Sequence, residues 1–139
     1  MTSELSPPRI LEAVLYATDL DAVERFYERA LGLEKIARQG DRHVFFRCDG
    51  AVLLIFNPTE TRRADQAPEF IHGADGMGHV CLAATRTQLA AWKSRLLEFG
   101  VAIESEVVWP NGAKSLYVRD PAGNSIEFAE PGLWFPDTP

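Results

Sequence analysis

Three residues in the sequence, Glu12, His79 and Glu127, carry the carboxylate and imidazole groups that bind divalent metals. Each lies in a short apolar segment that is typical of a β-strand. Side chains alternate along a strand, so Glu127 points away from its neighbours Ile126 and Phe128. Two carboxylates and one imidazole around one cation relieve the cost of burying like charges. These residue types therefore predict a metal site if the fold brings the three side chains together.

Each of these three residues also has a simpler interpretation. Glu12 and Glu127 would then be solvent-facing acids on edge strands, and His79 would be a buried histidine with a hydrogen-bonded ring. One carboxylate alone binds a divalent cation poorly, so the three ligand assignments stand or fall together. What separates the two interpretations is whether the three strands present these side chains to one surface.

The strands that position these side chains belong to two units with the same order, β-α-β-β-β. In the first unit, residues 9–57, a strand ending near Asp19 precedes a helix with apolar residues at helical spacing. Thr18 or Asp19 is the predicted N-cap of this helix, and Gly32 is its predicted end. Three short strands separated by turns follow. The second unit, residues 77–130, repeats this order.

The remaining segments lie between and after the two units of a predicted single domain. Residues 58–76 are polar, contain two prolines and show no clear periodicity, so they predict a linker or a mobile flap. The proline-rich C-terminal tail, residues 131–139, contains Trp134 and Phe135. We expect this tail to pack on its own body or on a neighbouring chain, which would shield both aromatic rings.

The two units can be laid over each other, which indicates an internal duplication. Aligning HVFFRCDGAVLLIF with SLYVRDPAGNSIEF, with a gap beside Cys48, pairs Leu54 with Glu127. Aligning LEAVLYAT with GHVCLAAT pairs Glu12 with His79. Glu12 and His79 therefore occupy equivalent positions in the two units. The position in the first unit that is equivalent to Glu127 is occupied by Leu54.

The strand faces that carry the candidate ligands are otherwise mostly apolar, which favours a concave ligand site over a water-exposed surface. The predicted substrate pocket consists of Val14, Tyr16, Phe45, Leu54, Phe56, Ser115 and Arg119. Glu12 and Tyr117 are the candidate proton-transfer groups. Alternatively, Tyr117 only lines the pocket with its hydroxyl at the rim, and Arg119 forms a structural salt bridge, as does Arg47.

The other two histidines are predicted to lie outside the pocket. His43 overlays Ser115 in the duplication and so alternates toward the pocket face, but its place at the start of a hairpin favours exposure. His72 lies in the predicted flap, where a solvent-facing position or a contact from a lid is expected.

Composition excludes several classes of protein. The 139 residues have a net charge of −6 and no basic cluster beyond Arg62–Arg63, which disfavours nucleic-acid binding. No run of about 18 apolar residues predicts a membrane span, and no signal peptide is predicted at the N-terminus. The two cysteines, Cys48 and Cys81, form no CxxC motif. They favour a cytoplasmic protein with buried thiols.

Three segments, ATDLDAVERFYERALGL, GMGHVCL and SLYVRDPAGNSIEFAE, resemble the vicinal oxygen chelate superfamily. That superfamily includes glyoxalase I, extradiol dioxygenases, fosfomycin-modifying enzymes and bleomycin-resistance proteins. The resemblance covers residues 9–130. It implies an α+β fold in which two tandem βαβββ modules form curved mixed sheets around a metal-binding cleft. It also implies Glu12, His79 and Glu127 as the metal ligands.

Two features of this chain depart from the superfamily pattern. Glyoxalase I-like members normally have a fourth protein ligand where this chain has Leu54, which weakens the resemblance to lactoylglutathione isomerases. Dioxygenases and fosfomycin-type enzymes normally use two histidines and one carboxylate, whereas Glu12 makes this set one histidine and two carboxylates. Such a set suits Fe²⁺, Mn²⁺, Ni²⁺, Zn²⁺ or Mg²⁺. One such ion per site is expected, with positions left for substrate oxygens.

The resemblance implies a metal-dependent enzyme of the lyase, isomerase or dioxygenase type that binds a small substrate through vicinal oxygens. The alternative is a metal-free protein of the bleomycin-resistance type that sequesters a small planar compound, and Leu54 is one step in that direction. Small two-module relatives often form the pocket between chains. We therefore expect a homodimer in which Glu12 of one chain joins His79 and Glu127 of the other, with a site inside one chain as the alternative.

Overall fold

Two units with the same order of elements build the molecule, whose computed structural model describes residues 5–137. Module one contains β1 (Glu12–Tyr16), α1 (Leu20–Arg25), β2 (Glu34–Gln39), β3 (His43–Cys48) and β4 (Ala51–Phe56). The short helix α2 (Pro58–Thr61) and a 3₁₀ turn (Pro68–Phe70) lie in the connection. Module two contains β5 (His79–Ala83), α3 (Arg86–Glu98), β6 (Ser105–Val108), β7 (Lys114–Arg119) and β8 (Ser125–Ala129).

Each module forms its own four-stranded mixed sheet. The strand order is β1-β4-β3-β2 in module one and β5-β8-β7-β6 in module two. The first strand of each sheet runs parallel to the last, and the remaining pairs are antiparallel. The predicted α+β fold of two βαβββ modules is therefore confirmed.

The strand register confirms the predicted internal duplication. The middle rows of the two sheets, read from the first strand, are Val14–Leu54–Phe45 and Cys81–Glu127–Tyr117. Leu54 and Glu127 therefore occupy equivalent positions. Glu12 and His79 each begin the first strand of their sheet, two residues before the middle row. Because alternation has a period of two, they share a face with Leu54 and Glu127 respectively.

The other faces of the two sheets meet in one hydrophobic core. Leu15 and Ile55 of module one belong to the same buried cluster as Ile126 and Phe128 of module two. The helices cover these faces, and Tyr27 of the first helix is completely buried. Each sheet therefore has one core face and one face directed away from the core, which we call its open face.

The turn between β7 and β8 joins the modules and accounts for the DPAGN motif. Asp120 Oδ1 accepts hydrogen bonds from the backbone N–H groups of Ala122 and Asn124, both at 2.9 Å. Asn124 Nδ2 donates to the carbonyl of Tyr16 in module one at 3.1 Å. Its Oδ1 accepts from the N–H of Gly78 at 2.7 Å. The same turn therefore fixes β1 and the start of β5, the two strands that begin with candidate ligands.

Several local features differ from the predictions. As predicted, the first helix is N-capped by Asp19 and ends before Gly32, whose φ is 67°. What differs is its second half (Phe26–Ala30), which is a π-helical turn. Residues 58–76, the predicted linker or flap, contain two short helical turns. These turns lack the periodicity of a long helix, because neither exceeds one turn.

Three exposed side chains also correct or narrow the predictions. Trp134 and Phe135 remain 78% and 67% exposed, so this chain does not shield these two rings, although Asn111 Nδ2 donates to the carbonyls of Gly132 and Leu133 just before them. Cys81 is exposed because it lies on the open face of module two, whereas a buried thiol was predicted.

None of the helices formed by residues 5–137 has the length and apolar character needed to span a bilayer.

Candidate metal centre and substrate cavity

A histidine–carboxylate pair lies on the open face of module two. His79 Nε2 is 3.2 Å from Glu127 Oε1. The two residues belong to the neighbouring parallel strands β5 and β8, and His79 is in register with Ser125, two residues before Glu127. The diagonal relation across two paired strands lets the long side chains meet. This pair is the part of the predicted ligand set that one chain assembles by itself.

The orientation of the His79 ring is fixed by its other nitrogen. Nδ1 lies 3.1 Å from the carbonyl oxygen of Ser125 and 3.1 Å from its hydroxyl. A carbonyl oxygen only accepts, so Nδ1 carries the proton that is donated to it. In a neutral ring Nε2 then presents a lone pair to the Glu127 carboxylate. Two lone pairs face each other, and a shared proton or a cation is needed between them.

Glu127 is held in place by a chain of two donors. Ser115 Oγ donates a hydrogen bond to Glu127 Oε2 at 2.6 Å, and Trp109 Nε1 donates to Ser115 Oγ at 2.8 Å. Because the indole only donates, the serine hydrogen is directed to the carboxylate. Glu127 is 6% exposed, so this contact satisfies one oxygen and leaves the other for His79.

Burial and the Glu127 carboxylate also raise the pKa values of two neighbouring side chains on the same face, Tyr117 and Cys81. Desolvation by the surrounding side chains first, and Glu127 second, raise the pKa of Tyr117 to about 12 and the pKa of Cys81 to about 12, although Cys81 as a whole residue is exposed. The rings of Tyr117 and His79 are stacked with centroids 6.3 Å apart. A protonated phenol beside the pair is therefore available as a hydrogen-bond or proton donor.

The pair has the geometry of two ligands to one ion. Metal bonds of about 2.0–2.2 Å from a nitrogen and an oxygen, at bond angles of about 90–110°, place neighbouring ligand atoms about 2.8–3.6 Å apart. The 3.2 Å separation of His79 Nε2 and Glu127 Oε1 lies within that range. The proton on Nδ1 and the donor on Oε2 are the outer contacts that orient metal-binding histidines and carboxylates. The residues present on module two therefore fit a divalent metal.

Glu12, the third predicted ligand, lies on the other sheet. It is exposed at the start of β1, on the open face of module one. Among residues 5–137, no group of three or more His, Cys, Asp or Glu side chains is arranged to hold a metal ion. One chain thus brings His79 and Glu127 together without Glu12.

The open face of module one forms a cavity of about 800 Å³. Its walls include most of the predicted pocket residues, namely Val14, Tyr16, Phe45, Leu54 and Phe56, together with Glu12. The remaining predicted pocket residues belong to module two. Ser115 is buried beneath Glu127, and Arg119 Nε donates to both oxygens of Glu104 at 3.0 Å. The predicted residues therefore fall on two separate open faces.

Two histidines that were predicted to lie outside the pocket line this cavity. His43 is 9% exposed and stacks on Phe45, with ring centroids 4.1 Å apart, so the predicted exposure is wrong. His72 Nδ1 is 2.6 Å from the Tyr16 hydroxyl, and its ring meets the edge of Phe56. Strand alternation with Phe45 was the signal for His43. Nothing in the aperiodic segment around His72 marked it.

Comparisons with known proteins agree with this architecture. Residues 9–128 match the family model of the Glyoxalase/Bleomycin resistance protein/Dioxygenase superfamily. The crystal structure of lactoylglutathione lyase from Agrobacterium tumefaciens is 45% identical, with a TM-score of 0.89, and the match covers 92% of this chain and 97% of that one.

A second relative is Virulence protein STM3117 from Salmonella typhimurium. It is 30% identical over 130 residues, which are 88% of this chain and 83% of that protein. Its crystal structure superposes with a TM-score of 0.68 at 25% identity, covering 91% of this chain and 98% of that one. The match to the family model spans nearly the whole chain and includes both modules. The chain therefore belongs to the glyoxalase/bleomycin resistance protein/dioxygenase superfamily.

Proposed function

We propose that the protein is a divalent-metal-dependent enzyme that acts on a small substrate chelated through neighbouring oxygens. The observation that carries this proposal is the contact of 3.2 Å between His79 Nε2 and Glu127 Oε1. The far side of each group is also held by a hydrogen bond, from His79 Nδ1 to the Ser125 carbonyl and from the Ser115 hydroxyl to Glu127 Oε2. A surface ion pair needs no such support, whereas a ligand pair does. The metal, when bound, supplies Lewis acidity that polarises a substrate oxygen.

The site is completed, in this proposal, by Glu12 of a second copy of the chain. Glu12 is the structural equivalent of His79, and it is exposed at the end of the module-one open face where Val14 is also 40% exposed. Pairing the module-one face of one copy with the module-two face of another makes two equivalent sites in a homodimer. Glu12 then contributes a carboxylate opposite the His79–Glu127 pair.

The roles of the chain's own residues follow from their positions. Ser115 and Trp109 keep Glu127 Oε2 occupied, so that Oε1 faces the histidine. Tyr117 is protonated at neutral pH, as an ordinary tyrosine is, and desolvation chiefly raises its pKa further, to about 12. Its hydroxyl therefore donates to a substrate oxygen. Val14, Leu54 and Phe45 form an apolar wall that excludes water from the reacting group. Glu12 has two carboxylate oxygens, so one binds the metal in this proposal while the other accepts the substrate proton.

The first reaction to test is the one named for the Agrobacterium relative, lactoylglutathione lyase, since that relative is 45% identical. A second candidate function, metal-free binding of a small planar compound, is favoured by one observation. Leu54 occupies the position equivalent to Glu127 and is 7% exposed in the cavity wall. Under that alternative the cavity alone binds the ligand, and His79 and Glu127 share a proton.

Metal analysis of the purified protein separates the two functions. We expect one divalent ion per site in the wild type after dialysis, and loss of that ion in His79→Ala and Glu127→Ala. The matched control is Glu106→Ala, an exposed acid on β6 that pairs with Lys93 of α3. Absence of stoichiometric metal from the wild type, unchanged in these variants, supports the metal-free alternative and contradicts the enzyme.

Mixing two inactive variants tests whether the site is shared. Glu12→Ala and His79→Ala proteins are each expected to bind metal poorly. After subunit exchange, mixed dimers contain one intact site built from the wild-type halves of the two variants. Recovery of part of the metal binding supports sharing between copies. If exchange is verified by mass spectrometry and no binding returns, the site does not combine Glu12 with His79 from different chains.

A further inference from the structure

The module-one cavity has two chemically different ends. Glu12 lies at the start of β1 and Tyr16 at its end, which separates them by about 13 Å along the strand. The end near Tyr16 also carries Arg42, His43 and His72. A substrate that reached from Glu12 along the cavity would meet this second end. The groups there determine which substrates fit.

The contact between Arg42 and His43 determines which nitrogen of the His43 ring carries its proton. Arg42 Nη1 lies 2.7 Å from His43 Nδ1. A guanidinium has no acceptor, so Nδ1 accepts and the proton of the neutral ring resides on Nε2. Burial first, and the Arg42 charge second, lower the pKa of His43, which keeps the ring neutral. The ring thus offers an Nε2–H donor.

The Nε2–H group of His43 is accessible and unused. Among residues 5–137, no acceptor receives a hydrogen bond from this N–H group, although the His43 side chain as a whole is only 9% exposed. Every fully buried side-chain nitrogen or oxygen in the described part of the chain has a partner. Nε2 is therefore not fully buried, and the residue lines the cavity.

Arg42 is a cation without an ionic partner in the described part of the chain. Its guanidinium lies 5.4 Å from the centre of the Phe56 ring and donates to His43, and no carboxylate of residues 5–137 lies within ion-pair distance of it. Glu69 also lines the cavity, but it is exposed on the 3₁₀ turn. An unpaired guanidinium beside an N–H donor is the arrangement that recognises a carboxylate.

The walls around these donors are flat and aromatic. His43 and Phe45 are stacked with 9° between their planes, and Phe56 meets both rings edge-on with centroids 5.6 Å and 5.3 Å away. Tyr16 and His72 close the same end through their 2.6 Å contact. Flat rings in offset or edge-on contact favour a planar ligand over a branched one.

We propose that this end of the cavity binds the acidic group of a planar aromatic acid, with Arg42 and His43 Nε2–H as its donors. This inference rests on the proposed function, because it names the substrate class of the same site. The donors select the carboxylate, the aromatic walls select the ring, and the opposite end of the ligand points toward Glu12. His43 and Arg42 are thus specificity-determining residues.

Calorimetric titration of the full-length protein with benzoate, benzamide and acetate tests this subsite. Benzoate is expected to bind about tenfold more tightly than benzamide, which lacks the charge, and than acetate, which lacks the ring. Arg42→Gln and His43→Phe are expected to reduce benzoate affinity to that of benzamide. His43→Phe keeps a ring stacked on Phe45, and Arg47→Gln, on the same strand but paired with Glu34, is expected to behave as wild type.

The metal content of the same samples separates this inference from the proposed function. Arg42→Gln and His43→Phe are expected to keep wild-type metal and wild-type circular dichroism, so weaker benzoate binding reports the loss of the subsite. Equal binding of benzoate and benzamide by the wild type, or wild-type benzoate affinity in both variants, overturns the subsite even when the metal is present. A benzoate preference lost in both variants of a protein that contains no metal supports the subsite and contradicts the enzyme.

Discussion

The hydroxyl of Ser115 lies 2.6 Å from Oε2 of Glu127, and this contact determines which carboxylate oxygen faces His79. Trp109 Nε1 donates to the Ser115 hydroxyl oxygen at 2.8 Å, and a carboxylate only accepts, so the serine hydrogen is directed to Glu127. A tryptophan in the hairpin after β6 therefore acts on the candidate metal pair through one intermediate residue. None of these contacts requires a second copy of the chain.

Replacing Ser115 with alanine is expected to weaken metal binding about 10–100-fold, the usual effect of removing a group that orients a ligand. Metal titration monitored by calorimetry measures the change. Ser105→Ala, an exposed serine on β6, is the matched control and is expected to retain wild-type affinity. If Ser115→Ala binds metal as tightly as Ser105→Ala while both remain folded, the Ser115 contact is structural and does not orient Glu127.

Replacing Leu54 with glutamate is expected to make stability depend on metal. The new carboxylate would stand to Glu12 as Glu127 stands to His79, because the two sheets have the same register. Without a cation, a second acid in the apolar wall is expected to cost about 2 kcal/mol. Saturating Mn²⁺ at about a hundred times its dissociation constant returns about 2.7 kcal/mol.

Thermal unfolding with and without Mn²⁺ measures this effect, and Leu54→Gln is the control with the same shape and no charge. We expect Mn²⁺ to raise the melting temperature of Leu54→Glu more than that of Leu54→Gln. Equal responses of the two variants would show that position 54 does not face a cation.

Replacing Tyr27 with phenylalanine is expected to destabilise the fold. The completely buried phenol donates to Asp120 Oδ2 at 2.7 Å and links the first helix to the turn between β7 and β8. Loss of a hydrogen bond to a buried carboxylate costs about 1–3 kcal/mol. Denaturant unfolding near neutral pH measures the difference from wild type.

The same variant has a predicted pH dependence. Burial first, and the Asp120 charge second, raise the pKa of Tyr27 well above its ordinary value. The phenol therefore stays protonated in the folded state while it ionises in the unfolded state above about pH 10. Its contribution is complete below that pH and is lost as the pH rises further. The stability gap between wild type and Tyr27→Phe is expected to shrink above about pH 10. A gap that widens there contradicts the assignment.

Strand alternation made much of the site predictable from sequence, and long-range packing made the rest unpredictable. Glu127 and Leu54 could be placed on equivalent positions because a strand has a fixed period of two and the turns align the modules. His43 could be placed on the correct face by the same rule. Its burial depends on Phe45, Phe56 and the covering segment, and local sequence does not contain that information.

Two further features could not be predicted from local sequence: the position of His72 and the separation of Glu12 from His79. His72 reaches Tyr16 across 56 positions of sequence from a segment without regular periodicity. The equivalence of Glu12 and His79 could be derived from the duplication. Whether equivalent positions meet depends on how the two sheets pack, and here the shared core directs their open faces away from it.

Replacing Asn124 with aspartate is expected to be the most destabilising of these changes. Asn124 is 1% exposed, its Nδ2 donates to Asp120 Oδ2 and to the carbonyl of Tyr16, and its Oδ1 accepts from Gly78 N–H. An aspartate of the same shape loses both donors and sets a second negative charge beside Asp120. Such an uncompensated buried charge costs about 3–5 kcal/mol. Denaturant unfolding measures the loss.

The matched control for this change is Asn111→Asp, in the hairpin after β6. Asn111 is exposed and its Nδ2 donates to the carbonyls of Gly132 and Leu133 near the surface, so the change is expected to alter stability by less than about 1 kcal/mol. The effect of Asn124→Asp should also reach the site, because Asn124 holds the end of β1 through Tyr16 and the residue before His79 through Gly78. We therefore expect any folded Asn124→Asp protein to bind metal more weakly than Asn111→Asp. Equal stability of the two variants would contradict the role of this turn in joining the modules.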